Sequence, residues 1–427
     1  MPTSIFISAG EASGEHYGAL LIARLKQLLQ DSAQTASFFG MGGPRMAAAG
    51  LEAVVPAEQM AVMGITEVVR HLPDIYRGFR KLKRAIQDRR PAVAVLIDFP
   101  DIHFRLAEEL HRLRIPVIFF VSPQLWAWKK HRIKLVQRYI DRMLVIFPFE
   151  EPFYRERGVH AEFVGHPLAE MPLPSISRSD FAARNGLDPA ATWIALLPGS
   201  RAKEIRANLP EMLSAARALS ARQASLDPSR QIQFPLPLAP TLNPEQRNRV
   251  QMMVNGPGAN VGGTNARVCL VDDARAALHH ARASIVASGT ATVEAALIGN
   301  PFVVVYRVSP LTYAIARRVV SVPHVAMANL IADKRVVPEL IQDEFTAANL
   351  VREIESLLPD GPPRESMMIE LGRIHGLLVP RGPAQGEPDS SAISSAIGRV
   401  ADVTLEMMQL RSTVGGSSAR PVEIVQS

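Results

Sequence analysis

A single cysteine, Cys269, stands among 427 residues. That excludes an internal disulfide framework and any zinc site built on several thiolates, and it suits a reducing compartment. Aromatic residues make up only 6% of the chain. No uninterrupted run of about 20 apolar residues offers a bilayer span. The longest weakly charged stretch, 284–306, is broken by Gly289, Glu294, Gly299 and Pro301 and reads as strand, turn, helix, turn, strand. The first residues lack a basic n-region and run at once into Ser8-Ala9-Gly10-Glu11, so no secretory leader is expected. A Gly-x-Gly-x-x-Gly fingerprint is missing too: neither Gly10-Glu11-Ala12-Ser13-Gly14-Glu15 nor Gly40-Met41-Gly42-Gly43-Pro44 has its spacing, which disfavours a dinucleotide site. Charge of one sign is scarce as well. The 47 Lys+Arg exceed the 41 Asp+Glu by only six, a balance that suits an anionic ligand or lipid surface as readily as nucleic acid.

What is there is ordinary globular protein, 47% hydrophobic and 21% charged. At roughly 150 residues per domain the length predicts two or three domains. Short apolar runs alternate with helical patterns, the signature of βαβ units around a parallel sheet. One series of runs lies at 4–8, 37–39, 92–97, 117–121 and 143–147, a second at 193–197, 231–238, 266–271, 284–287 and 302–305. The Pro- and Ser-rich stretch 167–189 between them has the composition of a linker. The fold class expected is α/β, with two doubly wound, Rossmann-like parallel sheets facing across a cleft. The domains are expected at 1–170 and 190–378, followed by a helix over 392–410 and a frayed tail over 411–427. The Gly/Asn-rich stretch 255–265 reads as a surface loop, and 380–391 as a Pro/Gly-rich separator.

In open α/β sheets ligands sit beyond the carboxyl ends of the strands, so each strand end is a candidate. After the first strand, Ser13, Gly14 and Glu15 stand where glycine permits close backbone approach and Ser13 can cap a helix; a plain strand-to-helix turn fits equally well. The 92–97 run ends in Asp98-Phe99-Pro100-Asp101, where Asp101 suits a helix cap and Asp98 is left as a candidate general base. The next loop holds Gln124, Trp126 and Trp128 followed by Lys129, Lys130, His131 and Arg132, a set suited to sugar and phosphate but equally to a buried Trp pair beside a solvated basic turn. His166, beside Pro167, fits a hinge contact better than a catalyst. In the second series Gly199, Ser200 and Arg201 offer backbone donors and a guanidinium fork for phosphate, or else an Arg201–Glu204 pair. Ser288, Gly289, Thr290 and Thr292 open a small-residue helix whose N–H groups and dipole favour a diphosphate, with Glu294 one turn in for ribose hydroxyls.

Residues 62–86 carry Val68, Leu72, Ile75, Phe79, Leu82 and Ile86 at helical spacing, with Arg70, Arg77, Arg80, Lys81 and Arg84 opposite. Pro73 predicts a break into two helices. The apolar stripe, Val68 to Leu82, reads either as a membrane-facing surface or as a core-packed face.

The chain resembles the lipid-A-disaccharide synthases, glycosyltransferases of the two-domain B type. The matching segments include Ser8-Ala9-Gly10-Glu11-Ala12-Ser13-Gly14, Met63-Gly64-Ile65-Thr66-Glu67, Ile97-Asp98-Phe99-Pro100-Asp101 and Val121-Ser122-Pro123-Gln124-Leu125-Trp126-Ala127-Trp128. Phe147-Pro148-Phe149-Glu150, Val164-Gly165-His166-Pro167-Leu168, Leu197-Pro198-Gly199-Ser200-Arg201, Ser288-Gly289-Thr290-Ala291-Thr292, Asn329-Leu330-Ile331 and Val337-Pro338-Glu339 complete them, in the family's order. The resemblance implies transfer of 2,3-diacylglucosamine from UDP-2,3-diacylglucosamine to 2,3-diacylglucosamine 1-phosphate, with a β-1,6 link formed by inversion and no metal or other cofactor. It implies Asp98 as the base, the Ser288 loop, Arg201 and Asn329 on the nucleotide side, an anionic inner-membrane surface met from the cytoplasm, a homodimer with exchanged C-terminal segments, and no nucleic-acid partner. Lys129, Lys130 and Arg132 are expected to hold the acceptor phosphate. Two departures stand out: the added length at 255–265 and after Arg411, and His103 and Arg105 where Asn-like or apolar residues are expected. A non-hydrolysing UDP-sugar epimerase and a non-catalytic nucleotide-sugar sensor are the rival readings.

Overall fold

The computed structural model describes residues 3–60, 65–128, 130–256, 266–319, 322–380 and 395–415. The chain divides into two units, residues 1–170 with 378–427, and residues 171–377. The expected loop at 255–265, the separator at 380–391 and the tail fall largely outside the described residues.

Unit 1 is built on a seven-stranded parallel sheet ordered β3-β2-β1-β4-β5-β6-β7. Its strands are β1 (Thr3–Ala9), β2 (Ala36–Gly42), β3 (Leu51–Pro56), β4 (Val93–Ile97), β5 (Val117–Phe120), β6 (Arg142–Val145) and β7 (Ala161–Phe163). Every residue of β4 and β5 is buried, as expected of strands covered by helices on both faces. The helices Ala12–Asp31, Ile65–Arg89, Pro100–Arg112 and Ala396–Gly415 belong to this unit. The last packs its Ala396, Val400, Ala401, Val403, Thr404 and Met408 inward. Arg399 anchors it by a two-pronged pair with Glu162 of β7, and the Glu170 carboxylate accepts from the first helical N–H, that of Ala396.

Unit 2 has a six-stranded parallel sheet ordered β10-β9-β8-β11-β12-β13. The strands are β8 (Thr192–Leu197), β9 (Ile232–Pro237), β10 (Arg267–Val271), β11 (Ala283–Ala287), β12 (Phe302–Tyr306) and β13 (Glu339–Ile341). Each sheet reverses its strand order once, between β1 and β4 in unit 1 and between β8 and β11 in unit 2. Those are the topological switch points at which open α/β sheets hold ligands.

Two expectations are corrected and one open alternative is decided. The linker composition at 167–189 hides the helix Arg178–Asn185, capped by Ser177. It is tied down by Arg178, whose guanidinium donates to the Pro189 and Ala191 carbonyls and lies 3.8 Å over the Trp193 ring. Pro73 does not divide its segment, since Ile65–Arg89 is one helix with the proline inside. The apolar stripe of that helix is core: Leu82 and Ile86 are fully buried, and Ile75 and Phe79 pack against the same cluster as Phe39, Val55 and Leu106. Val68 and Leu72 lie outside the described side chains.

Candidate functional site

At the unit 1 switch point, β1 and β4 lie side by side with Ala9 opposite Ile97. Beyond Ile97 the chain turns through Asp98 and Phe99, both with left-handed backbones (φ 51° and 52°), before the helix Pro100–Arg112 begins. Non-glycine residues pay for that region, and two in succession need outside support. The Asp98 N–H donates to the Phe120 carbonyl of β5 at 2.9 Å. The Asp98 carbonyl accepts from His103 Nδ1 at 2.5 Å, and His103 Nε2 lies 2.8 Å from the Ser8 hydroxyl. The Phe99 ring lies against Gly10, where any Cβ would come within 2.4 Å of it. This is why glycine must follow β1. His103 is completely buried between Phe99 and Phe119. Burial depresses its pKa to about 4 against the opposing pull of the Asp98 hydrogen bond. The half-buried Asp98 thus stands on a fixed turn at the carboxyl edge of the sheet.

Ser13 does not cap: Glu11 holds the cap position of Ala12–Asp31, and no side chain caps that helix. Gly14 is buried in its first turn. Glu15 turns to the neighbouring loop, accepting from the Arg45 N–H at 2.8 Å over Gly43, where a Cβ would meet its carboxylate. Asp101 sits in the first turn of its helix without capping it and pairs with Arg132 at 2.6 Å.

The loop after β5 is held from below. Trp126 is only 9% exposed and edges against Phe149, so it offers no open face to a sugar; Trp128, 44% exposed, and Gln124 are the outward residues. Trp126 Nε1 and the Phe147 N–H each donate to Glu150 at 3.1 Å. Burial raises the Glu150 carboxyl to about 8, against those hydrogen bonds. Ser122 bonds Tyr154 in the same interior cluster. Lys129 and the Lys130 side chain lie outside the described residues. His166 is buried beside Tyr17 and Phe147, accepts from the Leu168 N–H at 3.2 Å and is pushed down to about 3 by burial. It is a neutral structural imidazole, with no free face for an acceptor.

In unit 2 the loops after β8 and β11 share the other switch point. Gly199 (φ 122°) brings the chain around so that the Glu204 carboxylate accepts from the Ser200 N–H at 3.0 Å and from Arg201 Nη1 at 3.0 Å. The donors proposed for phosphate therefore face an internal carboxylate. Asn208, buried in the helix Ala202–Leu226 that also carries Glu204, fixes the loop from behind by donating to the Pro198 carbonyl. After β11, Gly289 (φ 143°) leads into Thr290–Ile298 with Ser288 part-exposed and Thr290 exposed, whereas Thr292 is buried and donates to the Gly289 carbonyl at 2.7 Å. Glu294 pairs with Arg275 at 3.4 Å; its carboxyl is raised by burial, with Arg275 opposing.

Asn329 is a correction. It is completely buried, and its amide is used up within the fold. Oδ1 accepts from the Val336 and Val337 N–H groups, and Nδ2 donates to the Val337 carbonyl and to Glu339. Glu339 in turn accepts from the Val325 and Ala326 N–H groups. An amide has four hydrogen-bonding positions, and all are taken, so the Asn329 side chain shapes unit 2 and has no position left to offer a ligand.

A model of the family described as lipid-A-disaccharide synthetase matches residues 5–370. A curated lipid-A-disaccharide synthase from Acidobacterium capsulatum is 60% identical over 415 residues, 96% of this chain and 98% of that protein. Among solved structures, the glycotransferase of kitacinnamycin superposes with a TM-score of 0.59 at 14% identity, covering 96% of this chain and 100% of the other. A UDP-GlcNAc 2-epimerase from Neisseria meningitidis, solved bound to UDP-GlcNAc, gives 0.54 at 12% identity with coverage of 96% and 100%. Identities this low speak for the fold alone.

Proposed function

The chain belongs to the lipid-A-disaccharide synthase family, and from that premise we propose that it transfers 2,3-diacylglucosamine from UDP-2,3-diacylglucosamine to 2,3-diacylglucosamine 1-phosphate, forming a β-1,6 link and releasing UDP. It is a hexosyltransferase of the GT-B fold class, and the family implies a UDP-sugar and a sugar phosphate as substrates.

The chemistry proposed is one in-line displacement with inversion at the anomeric carbon. The Asp98 carboxylate takes the proton of the acceptor's 6-hydroxyl as that oxygen attacks. Negative charge moves to the departing diphosphate, where the Gly199-Ser200-Arg201 loop and the start of Thr290–Ile298 supply N–H groups, hydroxyls and a guanidinium. Arg201 gives up Glu204 for the more highly charged diphosphate. Arg132 and the lysines before it are assigned to the acceptor's 1-phosphate, Glu294 to the ribose. The observation that carries this reading is the placement of Asp98, a carboxylate held on a rigid left-handed turn at the carboxyl end of a buried strand, at a switch point.

No described helix is long and apolar enough to cross a membrane. Contact with an anionic inner-membrane surface from the cytoplasm is proposed through the outer face of Ile65–Arg89, where Arg77, Arg80, Lys81 and Arg84 are exposed beside Tyr76. A homodimer is proposed in which Ala396–Gly415 takes the same seat on a second copy; light scattering at working concentration reads it.

The test incubates UDP-diacylglucosamine with and without the acceptor phosphate. Disaccharide phosphate and UDP are expected only with both. An isomerised UDP-sugar from donor alone identifies an epimerase, and binding without UDP release a sensor. Asp98→Ala is expected to bind UDP normally and lose about 10²–10⁴ in turnover; near-normal turnover would remove Asp98 from its role.

A further inference from the structure

The interior of unit 1 holds a fully buried histidine that the proposed displacement does not use. His103 lies five residues beyond Asp98, on the first turn of Pro100–Arg112, and touches the reacting carboxylate's own residue through the backbone. A carbonyl oxygen can only accept, so Nδ1 carries the ring hydrogen. In the neutral ring that burial favours, Nε2 is then the bare nitrogen, and the Ser8 hydroxyl donates to it. The ring is held in one neutral tautomer, in keeping with the downward pKa shift that burial imposes.

The consequence falls on Asp98. Its N–H is committed to Phe120 of β5 and its carbonyl to His103, so both peptide groups flanking the Asp98 Cα are tied to other elements. In a left-handed backbone without glycine, those ties decide the direction in which the side chain leaves. The Phe99 ring seated over Gly10 locks the next residue of the same turn. Ser8, near the end of β1, and Gly10, just past it, therefore serve the β4 turn, one through His103 and the other through Phe99.

We propose that His103 is a positioning residue for the transfer: by holding the Asp98 carbonyl it fixes the angle at which the Asp98 carboxylate meets the acceptor hydroxyl. The inference rests on the reading of Asp98 as the base. It assigns His103 no contact with substrate and no proton to carry.

Two amide replacements in the full chain separate positioning from mere filling of space. In His103→Asn the amide nitrogen takes about the place of Nδ1 and keeps the bond to the Asp98 carbonyl. In His103→Gln the amide reaches toward the Nε2 place, keeping Ser8 and losing Asp98. Steady-state rates with both substrates, UDP affinity and thermal midpoints are measured together. His103→Asn is expected within about threefold of the wild-type kcat, and His103→Gln about 10–100-fold below it, with KM for both substrates and UDP affinity nearly unchanged, as a misplaced catalytic group requires. Equal kcat for the two variants, or losses that follow the thermal midpoint, overturn the proposal. Should the glutamine variant not fold, Ser8→Ala combined with His103→Asn retains only the contact to Asp98. It is expected to keep at least about a third of the wild-type kcat, and a loss of about tenfold or more overturns the proposal. Asp98→Ala is assayed alongside. If it stays active, the base assignment fails and the positioning role goes with it; if it is inactive while Asn and Gln behave alike, only the positioning role fails.

Discussion

At the scale of single residues, the polar groups inside each unit divide into those that hold shape and those free to meet a substrate. Asn329 belongs to the first kind. Asn329→Ala strands the Val336 and Val337 N–H groups and loosens Glu339, at about 1–3 kcal/mol for each buried group left unpaired. The expected result is a lower thermal midpoint, with UDP-sugar KM little changed in whatever fraction stays folded. A selective rise in KM at unchanged stability would return Asn329 to the nucleotide. Glu150 allows a test by pH. Its carboxyl has an ordinary value of 4.5 in the unfolded chain and about 8 in the fold, so the folded chain binds the proton more tightly. Its neutral-state stabilisation is complete below pH 4.5 and is lost as pH rises toward 8 and above. Glu150→Gln removes that loss. The variant should therefore gain on the wild type in thermal midpoint between pH 5 and 8, and a gap that does not change with pH would mean that Glu150 is ionised throughout. Asp98 and the Ser200-Arg201 pair stand out in the sequence as candidates because a charged or glycine-flanked strand end is a local pattern. The duties of His103 and Glu150 show in no such pattern, since their partners are brought together by the fold: Ser8 is 95 residues from His103 and Trp126 is 24 from Glu150. Asn329 meets Val336, Val337 and Glu339 within ten residues, but no motif in the sequence marks those contacts.

Among elements, the interior strands announced themselves, and of the four sheet edges only β10 did. β1, β4, β5, β8, β11 and β12 are apolar runs buried on both faces, which is the pattern a sequence shows most plainly. The strands that escaped notice, β3, β7 and β13, are sheet edges. β7 and β13 are three residues long, and β3 exposes Glu52 and Ala53 between buried Leu51 and Val55 and ends in Pro56. Edges are short and polar because unpaired backbone groups there invite foreign strands. The helix Ile65–Arg89 raised a different ambiguity. Its amphipathic pattern was visible, but periodicity cannot say whether the apolar side meets a core or a bilayer. Burial decides for the core at Leu82, so Leu82→Ser should cost about 2–5 kcal/mol of stability, with any loss of vesicle binding following unfolding. The opposite face behaves differently. Changing Arg77, Arg80, Lys81 and Arg84 together to Gln should leave the thermal midpoint in place while weakening binding to anionic vesicles by about 10²–10³, at about 1 kcal/mol per cation. Because Arg77 already pairs with Asp74, the lower end of that range is expected. Unchanged sedimentation with anionic vesicles would exclude this face as the membrane contact.

For the molecule as a whole, the decisive feature is that unit 1 is discontinuous in sequence. The chain leaves it at Glu170 and returns at Leu378, and the returning segment supplies Ala396–Gly415, which covers part of the sheet beside Ala12–Asp31. Fully buried Val400, Ala401 and Thr404 mean that without this helix an apolar surface of unit 1 would face water. The Arg399–Glu162 pair and the Glu170 cap on the Ala396 N–H seat it at both the sheet edge and the point where the chain departs. Unit 2, by contrast, is one continuous segment with its own six strands and a core around Trp193, Phe234, Phe302 and Phe345. The two units should therefore differ when cut from the chain. Residues 171–377 alone are expected to unfold cooperatively and, if the strand-end loops hold the diphosphate as proposed, to bind UDP. Residues 1–170 alone are expected to aggregate or melt well below the full chain, and a fragment joining 1–170 to 378–427 by a short Gly/Ser linker should recover most of the lost stability. The Arg399→Ala change in that fragment should then lower its midpoint, because Glu162 and Glu406 would both lose their partner. Circular dichroism melts of the three fragments read the outcome. A 1–170 fragment as stable as the rejoined one would mean that the returning helix contributes nothing to unit 1, against the burial seen along its inner face.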